Sequence, residues 1–138
     1  MTDRIRPAAE RDGLTRHFTL IDHTVPSLVG GAVPEVDCYV TVGLDDAGRV
    51  IEVFVKLSRT GSSASGFAEA TAQMASLALQ HGMPLAKLYE KWRGTRFEPS
   101  GRVSFEDSPG TQKTVAVTSP LDAVAQWLQR RFPDQIDA

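Results

Sequence analysis

Two short segments carry the residue types best suited to holding a ligand. The first is Gly61-Ser62-Ser63-Ala64-Ser65-Gly66, a run of small residues with Lys56 and Arg59 just upstream. It falls between a strand-like and a helix-like stretch. Backbone N–H groups at a helix start carry partial positive charge and favour anions. The run matches neither a Walker loop nor a GxGxxG turn, and the plain alternative is a tight strand-to-helix connection capped by Ser65. The second segment, Thr95 to Gly101 (TRFEPSG), sets Arg96 and Glu98 on either side of Phe97, with Ser100 following. A guanidinium fork binds carboxylate or phosphate bidentately. Alternatively, Arg96 and Glu98 pair with each other and pin the loop over the core. If the two segments meet, they form a site for an anion-bearing, nucleotide-like molecule. Gly61, Ser62, Ser63, Ser65 and Gly66 would supply N–H and hydroxyl groups, and Lys56 or Arg96 the countercharge. Phe97 or Tyr89 would offer a face for a base, with Glu98 and Ser100 alongside.

Other reactive side chains form no catalytic set. His17, His23 and His81 show no HxxxH or HExxH spacing, and no metal or cofactor is expected. Cys38 is the sole cysteine, so it forms no internal disulfide and no cysteine-based zinc site. It lies at the start of a strand and reads as a small apolar core residue. Asp45 and Asp46 sit in a turn sequence, Asp45-Asp46-Ala47-Gly48, and read as turn formers rather than an acid–base pair. Fifteen Lys and Arg against seventeen Asp and Glu give a formal net charge of −2. That excludes a broad nucleic-acid surface, which needs an excess of positive charge. No apolar run resembles a signal peptide or is long enough to span a bilayer, and a reducing cytoplasm is the expected setting.

The positioning elements follow from periodicity. Residues 1–13 are polar and read as a flexible arm, and residues 14–138 as a single domain. Thr15 to Ile21 alternates weakly, with Phe18 and Leu20 on one face. Asp22 to Asp37, with Pro26, Gly30, Gly31 and Pro34, is loop material anchored by Val25, Leu28 and Val29. Cys38–Leu44 and Val50–Leu57 form the clearest hairpin, turning at Gly48. Ser65 to His81 reads as a helix whose apolar face is Phe67, Ala70, Thr71, Met74, Leu77, Ala78 and His81. Gly82 ends it, and Pro84 opens a second helix, to about Arg93, with Leu85, Leu88, Tyr89 and Trp92 on its apolar face. Gly94 to Thr118 reads as irregular apart from a short edge strand at Thr114–Val117. Ser119-Pro120-Leu121-Asp122 is a capping signature for a last helix with an inner stripe of Leu121, Val124, Ala125, Leu128 and Phe132. The expected fold is α+β: a small, mainly antiparallel sheet, with the hairpin at its centre, packed against two to three helices.

Several distinctive peptides then occur in one order: YVTVGL, EVFVKL, GSSASGF, SLALQHGMPL, TRFEPSG and finally SPLDAVAQWLQRRF. Together they resemble the small TSCPD-type domain near the C-terminus of cobalamin-dependent ribonucleotide reductases. The signature Thr-Ser-Cys-Pro peptide is absent, since Cys38 is not followed by proline. The catalytic barrel and the redox cysteine pair have no counterpart. The resemblance therefore implies a free-standing accessory or regulatory domain without reductase activity. Two readings follow from it. In one, the domain binds or sequesters a nucleotide or other phosphorylated small molecule. In the other, it is an interaction module that docks on a ribonucleotide reductase or self-assembles, with a homodimer expected first.

Overall fold

A computed structural model of the chain describes residues 3–22, 34–58 and 63–137, and for Asp107 and Ser108 the backbone alone. Five strands and four helices follow in the order β1 (Gly13–Asp22), β2 (Glu35–Leu44), β3 (Val50–Leu57), α1 (Ser63–Gln80), α2 (Leu85–Trp92), β4 (Gly101–Ser108), β5 (Thr111–Val117), α3 (Pro120–Arg131) and α4 (Pro133–Ile136). The strands make one sheet in the order β3-β2-β1-β4-β5, every pairing antiparallel. The fold is α+β, as expected.

Period-2 patterning sets the two faces. Val36, Cys38, Val40 and Val42 of β2 lie beside Phe18 and Leu20 of β1 and beside Val53, Val55 and Leu57 of β3, and all are buried. The same layer continues through Val103, Phe105 and Val117. The opposite face is polar and more open. There His17 stacks on Tyr39 at 4.6 Å between centroids, and its Nε2 lies 2.9 Å from Asp37 Oδ1. The β2–β3 hairpin closes through Asp45, whose carboxylate accepts from the Ala47 and Arg49 N–H groups at 3.0 and 2.9 Å, while Gly48 takes φ of 80°.

Three details differ from the sequence reading. First, the irregular stretch 94–118 contains all of β4. Val103 and Phe105 alternate with Arg102, Ser104 and Glu106, and Pro109-Gly110 turns the chain into β5. Second, β1 and β2 extend beyond the expected limits. Third, α1 buries a different face. Its inner residues are Ser65, Ala68, Ala72, Ala75, Ser76, Leu79 and Gln80, whereas Phe67 is 73% exposed, Met74 61% and Leu77 37%. The reason is steric. Small side chains let α1 lie against the outer edge of β3, where Ser76 Oγ accepts from Val53 N–H and donates to Val53 C=O, both at 2.9 Å. Gln80 Nε2 donates to Ile51 C=O at 3.1 Å. The helix thus satisfies backbone groups that an edge strand otherwise leaves open.

The N-terminal arm, expected to be flexible, makes several contacts here. Ile5 N–H donates to Gln80 C=O at 2.7 Å, and Arg4 Nε to Gln80 Oε1 at 2.6 Å. Arg11 pairs with the buried carboxylate of Glu52, Nη2 to Oε2 at 2.9 Å. The loop anchored by Val25, Leu28 and Val29 lies outside the described residues. No described helix is long and apolar enough to cross a membrane.

Candidate functional site

The 93–100 loop is held by the start of α3. Ser119 caps that helix, its Oγ accepting from Asp122 N–H at 2.9 Å. The Asp122 side chain does not complete the reciprocal half of a capping box. Its carboxylate is buried and gathers donors from outside the helix: Arg93 Nη1 and Gly94 N–H, each at 2.7 Å, and Thr118 N–H at 3.0 Å. Burial pushes the Asp122 carboxyl up, but the Gly94 and Thr118 N–H groups and the Arg93 guanidinium outweigh it and hold the group below the usual carboxylate range. Thr118 Oγ1 also donates to Thr95 C=O at 2.7 Å, and Phe97 N–H to Thr118 C=O at 3.2 Å. The expected Arg96–Glu98 lock does not form among the described residues; Arg93 and Asp122 hold the loop instead.

So anchored, the loop faces the first turns of α1. Between them lies a cleft of about 570 Å³, lined by Ser63, Ala64, Phe67, Thr71, Phe97, Glu98, Pro99 and Leu121. Three of the sequence-derived candidates, Ser63, Phe97 and Glu98, therefore come together. Ser65 and Gly66 lie inside the first helical turns, Ser65 on the buried face and Gly66 exposed. Ser100 is half-buried and, like Arg96 and Lys56, is not among the lining residues. Lys56 is on the open face of the sheet, opposite Tyr39. Gly61 and Ser62 lie outside the described residues. Among its described lining residues the cleft is thus mostly apolar, with the Glu98 carboxylate as the one charged group and no cation.

The remaining candidates resolve as structural residues or stay apart. Cys38 is buried, and burial pushes its thiol up to about 12, which leaves almost no thiolate at neutral pH. Asp45 serves the hairpin turn. No group of three metal-ligating side chains converges among the described residues. The sequence reading missed a second concentration of charge. Arg16, Arg130 and Arg131 line one cleft with Phe105, Glu106 and Trp127. Arg16 lies on β1, and nothing in local spacing joins it to the end of α3.

Comparison with known proteins identifies the lineage. The TSCPD domain family matches residues 16–132. Similar chains include vitamin B12-dependent ribonucleotide reductases of Rhodopirellula baltica, 30% identical over 88% of this chain and 10% of the relative, and of Bradyrhizobium diazoefficiens, 35% identical over 83% and 8%. The enzyme of Streptomyces clavuligerus is 33% identical over 76% of this chain and 10% of its own length. The chain therefore spans about a tenth of the relatives it matches. No solved structure matches it significantly. With family peptides carried on a five-stranded sheet and its covering helices, this chain belongs to the TSCPD domain family.

Proposed function

We propose that the chain is a non-catalytic accessory domain that works by association, and that a second copy of itself packs on the outer face of α1. The observation that carries this is the character of that helix. An 18-residue helix on a two-layer domain needs one apolar face, and α1 has two. Phe67, Met74 and Ala78 fall on a single outward stripe, and Glu69 is the only charged residue in the helix. Exposed apolar surface of this kind is normally covered. A second copy suits it for two reasons. Two such faces brought together meet no charge repulsion from their stripes. The same face also carries a protruding ring, Phe67, beside an apolar cleft, which is the self-complementarity that a two-fold interface requires. The relatives' name ties them to ribonucleotide reduction, and the accessory role extends that link to this chain by analogy.

A second reading draws on the cleft itself. Its volume lies in the range of small-ligand sites, roughly 300–1,000 Å³, and Ser63 and Ala64 line it together with Phe97, Glu98 and Pro99. The ligand would be nucleotide-like, with its base against Phe97 and its phosphate near the start of α1.

Light scattering on the wild type and on a Phe67→Glu/Met74→Glu variant separates the readings. Association predicts a dimeric mass for the wild type and a monomeric mass for the variant. The variant keeps its secondary structure by circular dichroism, because both side chains are exposed in the single chain, but loses the concentration-dependent part of the melting temperature. A monomeric wild type at the highest soluble concentration overturns the dimer. Co-migration of that monomer with a ribonucleotide reductase would assign the face to the enzyme. Calorimetric heat with a nucleotide, abolished by Phe97→Ala, would favour the ligand.

A further inference from the structure

A basic cleft lies where the sheet comes apart. β1 pairs with β2 over nine residue positions but with β4 over only two, Ile21 with Arg102 and Asp22 with Gly101. Away from that point the two strands separate, and α3 roofs the gap. The space is about 400 Å³. Arg16 enters it from β1, Phe105 and Glu106 from β4, and Trp127, Arg130 and Arg131 from α3.

Arg16 is the odd member of its row. It stands opposite Val40 on the core side of β1, where Phe18 and Leu20 are buried. Its Nε is buried and has no hydrogen-bond partner. A buried N–H donor without an acceptor costs free energy and calls for an explanation. Two further guanidiniums share the cleft, Arg130 over the Phe105 ring at 5.0 Å and Arg131 over Phe132 at 5.3 Å. The one carboxylate among the described lining residues, Glu106, accepts from Gly110 N–H at 3.0 Å. Among the described lining residues three guanidiniums stand against one carboxylate, a local excess of positive charge in a protein whose net charge is −2. Low-dielectric walls of Trp127 and Phe105 focus such a field on whatever enters.

We propose that this cleft binds a compact phosphate-bearing anion, with Arg16 as the central donor and Arg131 as the second fork. The chemistry fits. Phosphate oxygens accept several N–H groups at once, guanidinium forks match them bidentately, and the cleft is too small for a nucleic-acid strand. The site is separate from the α1 cleft, shares none of its lining residues, and does not depend on the reading given above. A purely structural account also exists: an inward charge on an open strand edge discourages mispairing. The test must separate the two.

Titration calorimetry with inorganic pyrophosphate at fixed ionic strength does so, using wild type, Arg16→Gln, Arg131→Gln and, as a control outside the cleft, Arg96→Gln. The expected result is saturable heat with wild type and with the control, and an affinity lower by about tenfold or more in each cleft variant. Bound pyrophosphate should also raise the melting temperature of wild type but not of Arg16→Gln. A nucleoside diphosphate run in parallel shows whether a base adds to the recognition. The proposal is overturned if wild type gives no saturable heat, or if the cleft variants bind as the wild type does. Should Arg16→Gln fail to fold, the exposed Arg131 at the helix end carries the comparison alone.

Discussion

Asp122 shows how a single carboxylate organises a loop. It is the third residue of α3, yet its oxygens face Arg93, Gly94 and Thr118, so one side chain ties α2, the 93–100 loop and α3 together. Asp122→Ala leaves the part-buried Gly94 and Thr118 N–H groups and the Arg93 guanidinium without this acceptor and should cost about 1–3 kcal/mol, read as a fall in melting temperature or denaturation midpoint. The pH dependence has a definite sign. The folded carboxyl is held below its unfolded range, so its stabilisation is complete above the unfolded value, about 4. It drains away as pH falls through the lower folded value. Melting curves taken between about pH 5 and pH 2 should fall more steeply for wild type than for Asp122→Asn. The capping signature Ser119-Pro120-Leu121-Asp122 was readable in the sequence, but the aspartate's real partners were not. Gly94 and Arg93 are distant in the chain, and only the packing of α2 on α3 brings them near.

At the scale of elements, α1 is the instructive case. Its sequence holds two apolar stripes, one bulky and one small, and periodicity alone favours the bulky one. The structure buries the small one because Ser76 must reach the backbone of β3, which Phe67 or Met74 at that distance would prevent. Ser76→Ala should leave the Val53 N–H and C=O buried and unpaired, at a cost of about 1–3 kcal/mol; Ser76→Thr would test whether the extra methyl fits. An unchanged unfolding midpoint for Ser76→Ala would mean water replaces the hydroxyl. The hairpin β2–β3 was legible because strict alternation and a glycine turn agree. β4 was not, because Pro99, Pro109 and the glycines around it read as loop when their alternation of Val103 and Phe105 is only two residues deep. For the candidate site, the meeting of Ser63 with Phe97 and Glu98 was legible from two segments of suitable chemistry. The lack of a cation among that cleft's described lining residues, and the gathering of Arg16 with Arg131, belong to tertiary structure alone.

For the whole molecule, the narrow junction between β1 and β4 has a consequence for cooperativity. Two ladder positions join a three-stranded leaf, β1 to β3 with α1, to a two-stranded leaf, β4 and β5 with α3. Most backbone hydrogen bonds lie within a leaf and few cross between them. Native-state hydrogen exchange reports opening of contiguous units, each at its own free energy. The amides of β2 and the inner half of β3 should therefore be the slowest to exchange. Those of β4 and β5 should form a second, faster group that opens as one without the first. If the two groups exchange at a common rate across denaturant concentrations, the shared layer of Phe18, Phe105 and Leu128 couples the leaves more tightly than their ladder does. If they separate, the domain is two cooperative units meeting at Asp22 and Gly101. Sequence changes in one leaf would then leave the protection of the other almost untouched.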